Sequence, residues 1–249
     1  LPADAAGAAA RLAASPRHGE YAMIKAGDDS VRAWVVYPER ATKAPVVVVV
    51  HEIFGLSTWV RAVADQLAAD GFIAVAPDLL TGFAPTDAPD SVNVATIRRL
   101  DPAQVQRRVA AAGAYGMGLP AAEPRYGVVG FCWGGSASFQ HAVFAGQNGT
   151  PGFGASVVYY GSAPPSAQLA QAKAPILGLF GGNDARVNAT LPAADSTLKA
   201  LGRPHEFTVY AGAGHGFLRQ QDGAGGANLT ASRQAWPATL AWFRRHLGS

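Results

Sequence analysis

The chain has 249 residues, 49% hydrophobic and 15% charged, which fits a folded domain and excludes a disordered polypeptide. Its formal charge of +3 comes without a dense Lys/Arg cluster, so no nucleic-acid partner is expected. The longest apolar run, Ala44–Val50, is far short of the ~20 residues that cross a bilayer, so no membrane partner is expected either. The single cysteine, Cys132, excludes an internal disulfide and a cysteine-based metal site.

The opening LPADAAGAAARLAAS is alanine-rich, and residues 1–20 read as an N-terminal extension to one domain over residues 21–249. Such an opening fits a mature chain after signal cleavage, which favours a periplasmic or secreted protein over a cytoplasmic one. Val31–Tyr37 reads as a strand, and the valine run Val46–Val50 as a strand buried on both faces of a parallel sheet. Thr58–Asp70 has helical spacing, with Val60, Val63, Ala64 and Leu67 on one side and Gly71 as a stop. Phe72–Ala76 is a strand, Thr81–Asp90 a loop rich in Pro, Gly and Asp, and Pro102–Tyr115 a helix. Tyr126–Phe131 is a strand that runs into Cys132, followed by a helix over Gly134–Ala145. Strands at Ala155–Tyr160, Ile176–Phe180 and Glu206–Tyr210 alternate with a helix near Leu191–Leu201, and a closing helix covers about Ala231–His246. This alternation predicts an α/β fold, with a mostly parallel sheet and helices on both faces. In such sheets function gathers in the loops at the C-terminal strand ends.

Three of those loops carry chemistry. Gly130-Phe131-Cys132-Trp133-Gly134 is G-x-C-x-G between a strand and a helix, the setting of a nucleophile elbow. Glycines let strand and helix approach, and the helix N-terminus favours thiolate and oxyanion alike. Asp184 follows the Ile176–Phe180 strand in LFGGND, and His215 follows Glu206–Tyr210 in AGAGHGF. Taken singly, each has an ordinary reading: a buried thiol, a turn aspartate, a surface histidine. Nucleophile, acid and histidine in this order, each in a strand-end loop, match the α/β-hydrolase triad. Two N–H groups are then needed for an oxyanion, one from Trp133 and one from the loop His51–Gly55. His18, His51, His141, His205 and His246 lack the setting of His215. His51-Glu52 has no second histidine at zinc-protease spacing, so no metal and no cofactor are expected.

The set HEIFGL (His51–Leu56), APDLL (Ala76–Leu80), GFCWGG (Phe131 and Cys132 among the glycines), GGND and GAGHGF resembles the dienelactone hydrolase family, from about Val31 to the C-terminal helix. The resemblance implies an α/β-hydrolase fold and hydrolysis of a small ester or lactone, carboxymethylenebutenolidase-like, through a thioacyl-enzyme. It makes Cys132 the nucleophile, Asp184 the acid and His215 the base, with Ile53 and Trp133 N–H as oxyanion donors. It also places Glu52 beside the resting thiol, with a part in its activation when substrate binds. Arg219, four residues after His215, occupies the position of one of two family arginines that hold a substrate carboxylate. The other is missing: Gly82 falls about where it belongs, leaving Arg98 or Arg186 as substitutes from other loops. Phe54 and Tyr160 are expected to line the substrate pocket, in a monomer or weak oligomer. The competing reading, a binding or redox protein with Cys132 as a reactive thiol, lacks a resolving cysteine.

Overall fold

A computed structural model describes residues 1–248. Its strands are β1 (Gly19–Ala26), β2 (Asp29–Val36), β3 (Ala44–Val50), β4 (Ile73–Pro77), β5 (Ala122–Phe131), β6 (Phe153–Tyr159), β7 (Ile176–Gly181) and β8 (His205–Tyr210). They form one sheet in the order β1-β2-β4-β3-β5-β6-β7-β8. The β1–β2 and β2–β4 pairs are antiparallel, and every pair from β4 to β8 is parallel. The helices are α1 (Ala8–Ala13), α2 (Thr58–Ala69), α3 (Asp90–Ile97), α4 (Pro102–Met117), α5 (Trp133–Asn148), α6 (Ser166–Leu169), α7 (Ala185–Asn188), α8 (Leu191–Ala200) and α9 (Ala227–Leu247). The expected α/β-hydrolase architecture is what the chain adopts.

The valine strand shows why. All of β3 is buried, and its residues divide by parity between two cores. Val47 and Val49 pack with Leu67 of α2 and with Trp236 and Phe243 of α9. Val46, Val48 and Val50 pack with Val105 and Val109 of α4. Each fully buried aliphatic side chain of this kind contributes about 1.5–3 kcal/mol, so a strand with no polar face is stable only between two layers of helices. A third core joins α5 and α8 through Phe139, Val158, Phe180 and Leu198.

Five elements lie outside the predicted set: β1 and the helices α1, α3, α6 and α7. β1 is an edge strand with a mostly exposed pattern, joined to β2 by the turn Gly27-Asp28, where Gly27 has φ +70°. α3 begins at Asp90, the last residue of the predicted Pro-rich loop, with Pro89 at its N-cap. β1 begins at Gly19, inside the segment read as an extension, and the residues before it are held to the domain. Trp59 Nε1 donates to the Ala3 carbonyl at 3.1 Å, Gln221 Nε2 to the Pro2 carbonyl at 3.0 Å, and Ala5 N–H to the Arg219 carbonyl at 2.9 Å. Arg17 adds a bidentate contact to the buried Asp65 of α2. Among the described residues no helix is long and apolar enough to cross a membrane.

Candidate active site

β5 ends in a sharp turn at Cys132, which has φ +57° and ψ −115° and caps α5. A non-glycine residue at positive φ is strained, and here the neighbours hold it there. A Cβ on Gly130 would come within 1.8 Å of the Gly134 carbonyl oxygen, and one on Gly134 within 2.3 Å of the His51 carbonyl oxygen. Strand, helix and the neighbouring loop are therefore in backbone contact, which only glycine permits. The Cys132 N–H donates to the Tyr159 carbonyl at 3.1 Å, which ties the turn to the end of β6.

Asp184 and His215 meet two strands away. Gly182 N–H donates to the Tyr210 carbonyl at 2.8 Å and Asn183 N–H to the Ala213 carbonyl at 2.9 Å, so the loops after β7 and β8 are laced together. Asp184, buried to 7% exposure, accepts from His215 Nδ1 at 2.5 Å. Its other oxygen, Oδ1, caps α7 through the Val187 N–H at 3.4 Å. The bond from His215 Nδ1 to Asp184 Oδ2 directs Nε2 of His215 away from the aspartate. The histidine loop is itself held by α9: Asn228 Oδ1 accepts from Gly214 N–H at 2.9 Å, and Ser232 Oγ donates to the Phe217 carbonyl at 3.2 Å.

The loop after β3 supplies a charged pair. Glu52, 5% exposed, accepts from Arg219 Nε at 3.0 Å. The Arg219 guanidinium lies over the Phe54 ring, 4.8 Å from its centroid. Burial pushes the Glu52 carboxyl up to about 7, against the downward pull of Arg219. The Cys132 thiol is pushed up to about 11, first by burial and then by the Glu52 charge, while the Trp133 N–H and the Arg186 charge act the other way. The thiol is thus neutral at rest. Arg219, expected as a carboxylate anchor, is engaged by Glu52 in this state. Gly82 faces open space, with no atom within 4 Å of a Cβ built there. Arg98 is exposed at the end of α3, and Arg186 is exposed with one contact to Ser162 Oγ at 3.4 Å. Tyr160 is fully buried under His215, its ring 5.2 Å from the imidazole, and its hydroxyl has no hydrogen-bond partner.

His51, set aside in the sequence, is built into the site. It is fully buried, and its Nε2 accepts from the Leu79 N–H at 3.1 Å. The proton therefore resides on Nδ1, which donates to the Glu52 carbonyl at 2.7 Å. Burial lowers its pKa and keeps it neutral. The Glu52–Ile53 peptide is trans, so fixing its C=O on the imidazole aims the Ile53 N–H the opposite way. The His51 ring also stacks on Trp133, with centroids 5.7 Å apart. No backbone carbonyl of the described residues takes the N–H of Ile53 or Trp133. The signal for His51 was its place directly after a buried strand, where a histidine must satisfy two ring nitrogens without water. No group of His, Cys, Asp or Glu that could hold a metal ion occurs among the described residues.

Known proteins resemble this chain along most of its length. The chain is 30% identical over 236 residues to a candidate carboxymethylenebutenolidase of Methylorubrum extorquens, covering 88% of this chain and 78% of that one. It is 28% identical over 271 residues to a candidate carboxymethylenebutenolidase of Salmonella typhimurium, covering 99% and 97%. The crystal structure of a candidate dienelactone hydrolase from Klebsiella pneumoniae superposes with a TM-score of 0.77 at 25% identity, over 91% of this chain and 98% of that one. Residues 31–247 match the model of the dienelactone hydrolase family, nearly the whole of the sheet and both helix layers, and the chain belongs to that family.

Proposed function

We propose that this hydrolase cleaves small carboxylic esters or lactones with Cys132 as nucleophile, His215 as base and Asp184 as the acid that orients it. The observation that carries the reading is Cys132 itself, the residue at φ +57° at the head of α5, inside a backbone contact that only glycine neighbours allow. The hydrogen bond from His215 Nδ1 to Asp184 supports the roles of the other two.

The reading implies these steps. His215 Nε2 takes the thiol proton as sulfur attacks the carbonyl carbon. The negative oxygen is received by the N–H groups of Ile53 and Trp133, with the N-terminus of α5 adding its dipole. Collapse expels the alcohol, which receives the proton from His215, and leaves a thioester on Cys132. Water then gives a proton to His215 and attacks the thioester, and His215 returns that proton to the departing sulfur, which releases the acid and the neutral thiol. Glu52 stands beside that thiol with a carboxyl that exchanges its proton near neutral pH. It keeps sulfur protonated at rest and offers a second proton acceptor once substrate displaces water from the site. His51 is a positioning residue that acts through the Glu52–Ile53 peptide. A thiol held up to about 11 argues against a resting redox role.

The test is hydrolysis of p-nitrophenyl acetate by reduced protein before and after stoichiometric iodoacetamide. Label and lost turnover should rise together on the single cysteine. Turnover that survives full carboxyamidomethylation removes Cys132 from the mechanism.

A further inference from the structure

A cavity of about 390 Å³ opens against the side chain of Trp133, the residue after the nucleophile, and is used by none of the steps above. It lies between the first turns of α4 and α5, with α6 along its rim. α4 leads into β5 and runs antiparallel to it, so its N-terminus and that of α5 both sit at the C-terminal edge of the sheet. Trp133, which follows Cys132, forms one wall, with Ser136 and Ala137 one turn further along. Leu100 and Val105 make the facing apolar wall.

Its polar groups are few and neutral. Gln106 is already spent: its Nε2 donates to the Ala137 carbonyl at 3.1 Å and its Oε1 accepts from His141 Nδ1 at 2.9 Å. Gln140 Nε2 donates to Gln168 Oε1 at 3.1 Å, which leaves Oε1 and one N–H on Gln140 and both N–H donors on Gln168. Ser136 Oγ accepts from Ser162 N–H at 2.9 Å and keeps its own proton to give. None of the described residues lining the cavity carries a charge. A carboxylate there has no partner, and Arg219 is committed to Glu52. Desolvating an unpaired carboxylate is costly, whereas an apolar group gains by leaving water.

Building on the ester-hydrolase reading, we propose that this cavity is a subsite for a neutral, largely apolar substituent of the ester. The substrate class is then an ester with a benzoyl- or hexanoyl-sized group, rather than a small lactone that carries a free carboxylate. Size and charge both follow from the walls: the volume is at the lower end of small-molecule sites, and the walls offer hydrogen bonds but no counter-ion.

The experiment compares kcat/KM for p-nitrophenyl acetate, hexanoate, benzoate and hemisuccinate, and for hexyl and methyl acetate to separate the acyl from the alcohol side. Parent, Ala137→Phe and Gln168→Phe are run together, the second because Gln168 is exposed and its replacement spares the core. The parent should prefer hexanoate or benzoate, or hexyl over methyl acetate, by at least about tenfold, and both variants should lose that preference while acetate stays within about twofold. Calorimetric binding of 2-octanone against octanoate reads the same subsite without turnover: the ketone should bind, and Ala137→Phe should abolish it. The proposal is overturned if the hemisuccinate is preferred, if octanoate binds as well as the ketone, or if both variants depress all esters equally. Turnover that survives iodoacetamide removes the nucleophile assignment instead, and leaves the binding comparison to judge the cavity alone.

Discussion

Glu52 carries a charge that the fold opposes, and the cost can be read as a dependence of stability on pH. Burial raises its carboxyl from 4.5 to about 7, with Arg219 at 3.0 Å recovering only part of the loss. A raised pKa means that the folded state holds the proton more tightly than the unfolded chain. The stability this provides is complete below 4.5 and is lost as pH rises through about 7. A shift of this size is worth about 3 kcal/mol at 1.36 kcal/mol per unit. Glu52→Gln keeps the shape and a hydrogen-bond acceptor for Arg219 but does not titrate. The variant should therefore resemble the parent to within about 1 kcal/mol at pH 5 and exceed it by about 3 kcal/mol at pH 8. Urea unfolding of both proteins at pH 5, 6, 7 and 8 measures the gap, and the pH trends of all other groups cancel in the difference. A gap that stays constant across that range, or closes as pH rises, refutes the reasoning. The buried carboxylate is then retained for chemistry at the expense of the fold.

Four further outcomes follow. Cys132 in the parent should react with iodoacetamide at pH 7.5 some tens-fold to ~100-fold more slowly than a free cysteine, and Glu52→Gln should react faster because the neighbouring charge is gone. His51→Ala should lower kcat by about 100-fold, the size of a lost oxyanion donor, with the Cys132 alkylation rate unchanged; equal losses in both would make His51 merely structural. Asp184→Asn keeps the cap on α7 but favours the wrong histidine tautomer, so kcat should fall by about three to four orders of magnitude with little change in melting temperature. Deleting residues 1–7 removes the contacts of Pro2, Ala3 and Ala5, which should cost about 2–3 kcal/mol and speed amide exchange in 216–223, read by mass spectrometry.

The strand-and-helix frame was legible because its strands are pure. Val46–Val50 has no polar position, and Tyr126–Phe131 runs straight into a glycine cluster, so period and punctuation agreed. β1 was missed because an edge strand buries only Ile24, and its pattern carries little periodicity; the Gly27-Asp28 turn was the usable signal. α3 follows a Pro-rich loop and buries only Asn93, Thr96 and Ile97, so it shows almost no apolar face. In the site, residue types and chain order pointed to Cys132, Asp184 and His215. They could not show that Arg219 faces Glu52, since 167 residues separate the two and only the fold brings them together. Nor could they assign His51, whose role depends on a hydrogen bond to a peptide and not on any partner side chain.

The glycine contacts around Cys132 have a consequence for laboratory evolution. Because strand, helix and loop touch through bare backbone there, the frame has no side chains to vary, and a Cβ added at Gly130 or Gly134 meets another segment's atoms. The sulfur stands outside that contact. Cys132→Ser exchanges one nucleophilic atom while leaving the turn intact, and the cavity walls at Ala137 and Gln140 lie one to two turns along α5 from it, with Gln168 on α6. Libraries aimed at new substrates thus have two separable targets, the identity of a single atom and the lining of a small chamber. The glycine scaffold between them is best treated as invariant.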